Sequence, residues 1–197
     1  MKLNWAERWA VNNPLRPLQQ RFEMAWFKKR AILGPAARVL EVGCGRGAGA
    51  RLIKQLFRPA CVHAMDLDVA MIQKARRYLT PEARQGISFY VGDVCRLPHG
   101  DGSMDAVFGF GVLHHIPQWQ GALAEIVRVL KTGGIYCFEE LYPSLYQNIL
   151  TRHILLHPAE NRFRSGDLKR AMLDAGLEPR GCLEHEKLEI IGIATKR

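Results

Sequence analysis

The chain of 197 residues lacks several features that would have fixed its class at once. No stretch approaches the roughly 18 uncharged apolar residues a membrane helix needs, and the charged beginning holds no apolar core of an export signal. Neither a membrane span nor export is expected. The five cysteines, Cys44, Cys61, Cys95, Cys137 and Cys182, are odd in number and widely spaced, with no C-x-x-C pair. A disulfide framework or structural zinc site is therefore not expected, a reducing cytoplasm is the simplest setting, and the thiols fit as small buried hydrophobes. Internal repeats and low-complexity tracts are also missing, which excludes solenoids. Hydrophobic residues at 48% and charged residues at 24% remain, ordinary usage for a folded domain long enough to bury a sizeable core.

Acidic residues are in deficit, 19 against 28 Lys and Arg for a net charge of +9. The imbalance is local. Residues 1–30 carry seven basic and two acidic side chains, net +5, whereas residues 31–150 (twelve and ten) and 151–197 (nine and seven) each net +2. Within residues 14–30, Leu15, Leu18, Phe22, Ala25 and Trp26 fall at helical spacing, with Arg16, Arg21, Lys28 and Lys29 largely off that face. Trp5 and Trp9, four apart, suggest a short helical turn before it. We expect residues 1–37 to form a basic amphipathic helical cap over the sheet. Such a face suits peripheral contact with an anionic membrane through residues 1–30, or closure over a substrate.

From residue 38 short apolar runs alternate with helical stretches. "RVLEVG", "CVHAMDL", "ISFYVGD", "MDAVFGFG" and "GIYCFEEL" have the character of strands. Between them, "GAGARLIKQLF", "VAMIQKARRYL" and "WQGALAEIVRVL" have the character of helices, and "KTGG" marks a turn. This alternation predicts an α/β, doubly wound, mostly parallel sheet covered on both faces. Toward the end a helix closes near Gly176, and stretches at 178–185 and 188–195 have only a tight charged connection between them. They predict an antiparallel hairpin at the sheet edge, giving a seven-stranded Rossmann-like sheet. Residues 142–167 form an insertion within the domain spanning 38–197, long enough for a lid or pocket wall.

"EVGCGRGAG" brings Gly43, Gly45 and Gly47 between a strand and a helix, where such folds bind ligands. With Ala48 it also fits G-x-G-x-x-A, so a nicotinamide-dependent oxidoreductase is a rival. Asp66, 19 residues after Gly47, can accept both hydroxyls of a ribose, which fits either ligand. Glu41 beside the loop favours a cationic or amine-bearing ligand over pyrophosphate, and Asp93 offers an acceptor for an exocyclic amine. No Y-x-x-x-K of the short-chain dehydrogenases occurs.

"VLEVGCGRG", "AMDLDVAMIQKAR", "FYVGDVCRLPHGDGSMDAVFGFGVLHHI" and "EIVRVLKTGGIYCFEE" resemble, in order and spacing, the motifs of class I S-adenosylmethionine-dependent methyltransferases. The subgroup that includes the ubiquinone and menaquinone enzymes, acting on small molecules or lipids, is the most similar. The resemblance covers residues 38–141. It implies that Glu41 and the backbone of Gly43, Gly45 and Gly47 surround the methionine part of the cofactor, with Asp66 on the ribose and Leu67 beside the adenine. It further implies Asp93 on the adenine amine, Val94 fixing the ring, and Gly109 and Phe110 near the amino end.

Methyl transfer needs above all desolvation and in-line positioning, so the acceptor side is less legible. His114 and His115, after the fourth strand, are the catalytic candidates, either as a base or as orienters of a substrate hydroxyl. No carboxylate at ligand spacing accompanies them, and no metal is expected. Tyr142, Tyr146, His153, His157, Arg162 and Arg164 in the insertion are substrate candidates. Alternation allows only one of Glu139 and Glu140 to face the pocket. "GFGVLHH" stands where base-amine methyltransferases resemble one another in an N/D-P-P-Y motif, no Pro-Cys pair occurs, and no RNA-binding appendage is present. Nucleic acid is the less expected substrate, and a small-molecule or lipid acceptor in the cytoplasm or at a membrane surface the more expected one.

Overall fold

The computed structural model describes residues 16–146, 161–185 and 188–197. Trp5, Trp9, Leu15, His153, His157 and the side chain of Tyr146 lie outside the described residues. Helix α1 (Arg16–Lys28) leads into β1 (Arg38–Val42), α2 (Ala48–Phe57), β2 (Cys61–Asp66), α3 (Val69–Tyr78), α4 (Pro81–Arg84) and β3 (Ile87–Val91). There follow β4 (Met104–Phe110), a 3-10 turn (Leu113–His115), α5 (Trp119–Val129), β5 (Leu130–Leu141), α6 (Pro143–Tyr146), α7 (Ser165–Asp174), β6 (Leu177–His185) and β7 (Glu189–Lys196).

The strands form one sheet in the order β3-β2-β1-β4-β5-β7-β6. Neighbours from β3 to β5 are parallel, whereas β7 is antiparallel to both β5 and β6. This is the expected seven-stranded, mostly parallel sheet with a terminal hairpin. The chain winds outward through β1, β2 and β3, then returns to place β4 on the other side of β1. The carboxyl ends of β1 and β4 therefore flank the point where strand order reverses, the place where open α/β sheets bind ligands.

Both faces are covered, and the side-chain period of each element explains how. In β1, Leu40 and Val42 join one core cluster while Val39 joins the other. Trp119, Ala122, Leu123, Ile126 and Val129 make one stripe of α5 and meet Leu168 and Met172 of α7 on the first face. Ala50, Ile53 and Phe57 of α2 and Ile72 and Ala75 of α3 cover the second. Each fully buried Leu, Ile or Phe contributes roughly 1.5–3 kcal/mol.

Three local features depart from the sequence reading. Strand β5 begins directly at Leu130, so "KTGG" is the irregular opening of the strand, absorbed by a register shift between Met104 and Ala106 and by the left-handed Gly133. Helix α4, capped by Thr80 accepting from the Ala83 N–H, and the 3-10 turn were not anticipated. Helix α1 is rotated from its expected face. It buries Glu23, Met24, Trp26 and Phe27, whereas Leu18 and Phe22 are 67% and 63% exposed. The cause is a distant partner: Arg16 donates to Glu139 at 2.8 Å and to Glu23 at 3.3 Å, turning the polar side inward while Phe27 packs on Phe108 and Phe110.

Candidate functional site

A cavity of about 410 Å³ opens at the carboxyl ends of β1, β2 and β4, within the size range of small-molecule sites. Its floor is the loop after β1. Gly43 and Gly45 are left-handed, with φ of 68° and 52°, and a Cβ on Gly43 would stand 2.6 Å from Val112 Cγ2. Bulk at that position would close the wall, which answers why the backbone is bare there. Asp66, at the end of β2, holds the loop in place. Its Oδ2 accepts from the Gly45 N–H and its Oδ1 from the Asp68 N–H, both at 2.9 Å. Burial raises the Asp66 carboxyl above its ordinary range, opposed by these N–H donors.

The opposite wall is the segment after β3. Asp93 Oδ1 accepts from the Cys95 N–H at 2.9 Å, which shapes the turn that presents Val94. Arg128 on α5 staples this segment from behind by donating to the Leu97 and His99 carbonyls and to Glu125 and Asp101. Of the positions expected to meet a cofactor, Gly43, Gly45, Asp66, Leu67, Asp93, Val94 and Phe110 line the cavity.

Three expected positions do not line it. Glu41 is 1% exposed and lies beneath the start of α2, its Oε1 crowding the place of a Cβ on Gly49. Gly47, with φ of 82°, is packed against Phe89 and Ala75, so its bareness serves the contact between helix and sheet. Gly109 sits inside β4, paired with Val42 and Phe138 and facing the Tyr136 hydroxyl. The chain leaves the strand two residues later, at the left-handed Gly111, which does line the cavity. Met65, Met71, Gly92, Cys95, Val112, Ile116, Pro117 and Gln118 complete the wall and were missed. Strand-end position could have found Met65 and Gly92. Nothing local marks 116–118.

The two histidines part company. His115 lines the cavity, whereas His114 is turned into the wall, its Nδ1 2.7 Å from Glu140 Oε2. Glu140 also accepts from the N–H groups of Val112, Leu113 and His114 at 3.2, 2.9 and 3.2 Å. One buried carboxylate thus organises the whole turn after β4. Glu139 points to the other face, toward α1, so alternation holds.

The substrate candidates are dispersed. Tyr142 is fully buried and donates to Glu184 at 2.7 Å, tying β5 to β6 away from the cavity. Arg162 borders a shallow crevice with His114 behind Ile116, and Arg164 is exposed at the start of α7.

The chemistry of the wall suits a particular ligand. Two carboxylates and no Lys or Arg line the cavity among the described residues, an environment hostile to pyrophosphate. A diol and an amine suit Asp66 and Asp93, and Met65, Leu67, Met71 and Val94 offer apolar surface for a flat ring. Behind the loop, Glu41 Oε2 is buried with no hydrogen-bond partner, and burial pushes this carboxyl well above its usual range despite the Ala50 N–H. A cation is the natural complement. S-adenosylmethionine, with a ribose, an adenine amine, an ammonium and a sulfonium, fits this donor set.

Known proteins agree. The methyltransferase domain family matches residues 40–138. A phthiotriol/phenolphthiotriol dimycocerosates methyltransferase of Mycobacterium ulcerans is 40% identical over 108 residues, covering 54% of this chain and 38% of that protein. A fatty-acid O-methyltransferase of Mycolicibacterium smegmatis is 38% identical over 106 residues, again 54% of this chain and 38% of the relative. The chain thus spans well under half the length of these curated relatives. Among solved structures, a SAM-dependent methyltransferase from Aquifex aeolicus superposes with a TM-score of 0.79 at 17% identity, covering 100% of both chains. The family pattern runs through half of the sequence, across the very strands and loops that build the cavity, and the chain belongs to the class I S-adenosylmethionine-dependent methyltransferases.

Proposed function

We propose that this chain transfers a methyl group from S-adenosylmethionine to a small-molecule or lipid acceptor. The observation that carries the reading is the acidic, Lys- and Arg-free cavity at the strand-order reversal, in a chain of this family. Asp66 holds the ribose hydroxyls. Asp93 accepts from the adenine amine, with Leu67 and Val94 against the ring. The backbone of Gly43, Gly45 and Gly111 borders the methionine part, and the buried Glu41 lies behind the loop that carries it. When bound, the sulfonium supplies an electrophilic methyl group. The residues of this chain orient the acceptor, exclude water and manage its proton; positioning of this kind is worth roughly 7–11 kcal/mol of barrier. His115, on the cavity surface, orients the acceptor, whereas His114 shapes the wall.

The lipid preference rests on the mycobacterial relatives and on α1. Its outward face combines the exposed Leu18 and Phe22 with exposed Arg21, Lys28 and Lys29, a composition suited to an anionic membrane surface. No helix among the described residues is long and apolar enough to cross a membrane, so contact of this kind is peripheral.

Thermal unfolding with S-adenosylhomocysteine and, separately, with NAD tests the cofactor. Homocysteine analogue at 100 times its dissociation constant stabilises by about 2.7 kcal/mol. A shift with NAD and none with S-adenosylhomocysteine defeats the reading.

A further inference from the structure

The wall that follows β4 is a single segment of chain. Ile116, Pro117 and Gln118 line the cavity, and Ile116 also borders the crevice behind it, together with Trp119, Asn161 and Phe163. With the glycine loop, Asp66 and Asp93 given to S-adenosylmethionine, this segment is the surface left to meet the acceptor. It has weak means of holding itself. Pro117 has no N–H to donate, and the side chain of Gln118, at the N-cap of α5, makes no capping hydrogen bond. Its local ties are the Ile116 N–H on the Leu113 carbonyl and the Gly121 N–H on the Gln118 carbonyl, at 2.9 and 3.0 Å.

A residue 44 positions beyond Pro117 fixes the segment from behind. The Asn161 Nδ2 donates to the Pro117 carbonyl at 2.7 Å and to Gln120 Oε1 at 2.8 Å, and its Oδ1 accepts from Gln120 Nε2 at 3.0 Å. Its backbone carbonyl accepts from Trp119 Nε1 at 2.9 Å. The side-chain amide thus commits both hydrogens and its oxygen to one short stretch of chain. Asn161 does so at φ of 52°, a left-handed conformation that Asn adopts more readily than most residues and Gly more readily still. Two residues on, Phe163 is buried against the Trp119 ring with 4.7 Å between centroids, which secures the approach. One exposed amide bond contributes little in water, but several converging on the same stretch define a position.

We propose that Asn161 is a positioning residue for the acceptor: it grips Pro117 and Gln120 from outside, so that Ile116, Pro117 and Gln118 keep the inner surface against which the acceptor aligns with the methyl group. The inference rests on the methyltransferase reading. Asn161 does not line the cavity, so its effect passes through the main chain of this segment and leaves the contacts of Asp66 and Asp93 untouched. A wall displaced by about 1 Å is enough to cost up to about 100-fold in rate.

Two variants test it. Asn161→Gly keeps the left-handed backbone and the carbonyl that Trp119 reaches, while removing the ties to Pro117 and Gln120. Asn161→Asp keeps the shape but sets a carboxylate oxygen against the Pro117 carbonyl where an N–H stood. Methyl transfer to palmitate and to hexadecanol, in mixed micelles, is expected to lose at least about tenfold in kcat/KM for the acceptor in both variants. The KM for S-adenosylmethionine is expected to stay within about twofold of wild type, a split that general loss of structure does not give. A loss below about twofold for the acceptor, or an equal loss for the cofactor, overturns the assignment. Hydrogen exchange with S-adenosylhomocysteine bound reads the same grip without an acceptor. The Ile116 and Gly121 amides are expected to exchange at least about fivefold faster in Asn161→Gly, with the Gly45 amide, bonded to Asp66, unchanged. Unaltered exchange at Ile116 and Gly121 also overturns it. Wild type that shifts with S-adenosylhomocysteine but methylates neither probe defeats the lipid acceptor, and the exchange arm then decides the positioning. Wild type that fails to shift with S-adenosylhomocysteine defeats the cofactor reading itself.

Discussion

The two halves of the sheet solve different problems. Around β1, β2 and β3 the carboxylates facing the cavity are satisfied, Asp66 accepting two backbone N–H groups and Asp93 a third with Arg128 locking the segment behind them, while Glu41 Oε2 stays open behind the loop. Around β5 and β7, Arg16 bridges the buried carboxyl groups Glu139 and Glu23, and Glu139 Oε1 has no hydrogen-bond partner, under a helix that also packs through Phe27 on Phe108 and Phe110. A pre-organised half suits one constant ligand. Glu139 and Glu140 show the divide within two residues, since the second is fully engaged and the first is not.

The comparison breaks most visibly at Glu140. Glu140→Ala strands three N–H groups and the His114 ring and is expected to cost about 3–5 kcal/mol, the range for a broken buried network, read by urea unfolding. A loss below about 1 kcal/mol would mean the turn after β4 is held by something else. Asp66→Ala is expected to abolish the roughly 2.7 kcal/mol stabilisation by S-adenosylhomocysteine at 100-fold excess over the dissociation constant. Persistence of the shift would show that the ribose is bound elsewhere.

A smaller effect separates the halves by pH. The Glu23 carboxyl is raised in the folded protein to about 8, above the unfolded value near 4.5, so the folded state binds the extra proton between these limits. Stability from this group is present below the unfolded value and is lost as pH rises through the folded one, by at most about 1.4 kcal/mol per pH unit. Glu23→Gln is expected to flatten the fall in melting temperature between pH 5 and 8 relative to wild type. Parallel curves would place the proton on another group. The smallest change is expected at the outer face of α1: Leu18→Ser with Phe22→Ser should leave stability within about 0.5 kcal/mol, as exposed sites do. Co-sedimentation with anionic vesicles should nevertheless fall, and undiminished binding would remove α1 from the membrane proposal.

The same divide governs what the sequence disclosed. The strands themselves, the glycine loop, Asp66 and Asp93 were legible because each is a local pattern: an apolar run, a bare turn, a carboxylate at a strand end. The orientation of α1 was not. Leu18 and Phe22 keep perfect helical spacing with Trp26, yet the helix turns by the pull of Glu139, 123 residues away from Arg16. The resemblance implied Gly109 near the amino end, whereas the strand runs on to Phe110 and the cavity is met at Gly111, since strand ends are placed only to within a residue or two. Tyr142 looked like part of a pocket wall and proved to be a tie between strands, its partner Glu184 being 42 residues distant. Long-range charge pairs leave no periodic trace.

The reversed strand β7 carries a consequence for the order of assembly. It pairs with β6 through a tight turn and with β5 across a span of about fifty residues. A hairpin closes in about 1–10 μs, whereas the distant edge must wait for loop closure. The β6–β7 hairpin is thus a module that docks onto a parallel sheet already wound, and its amides and those of β5 should divide into separate hydrogen-exchange tiers. Glu189 comes with that hairpin, so it joins the field of Glu23 and Glu139 only when the hairpin has docked.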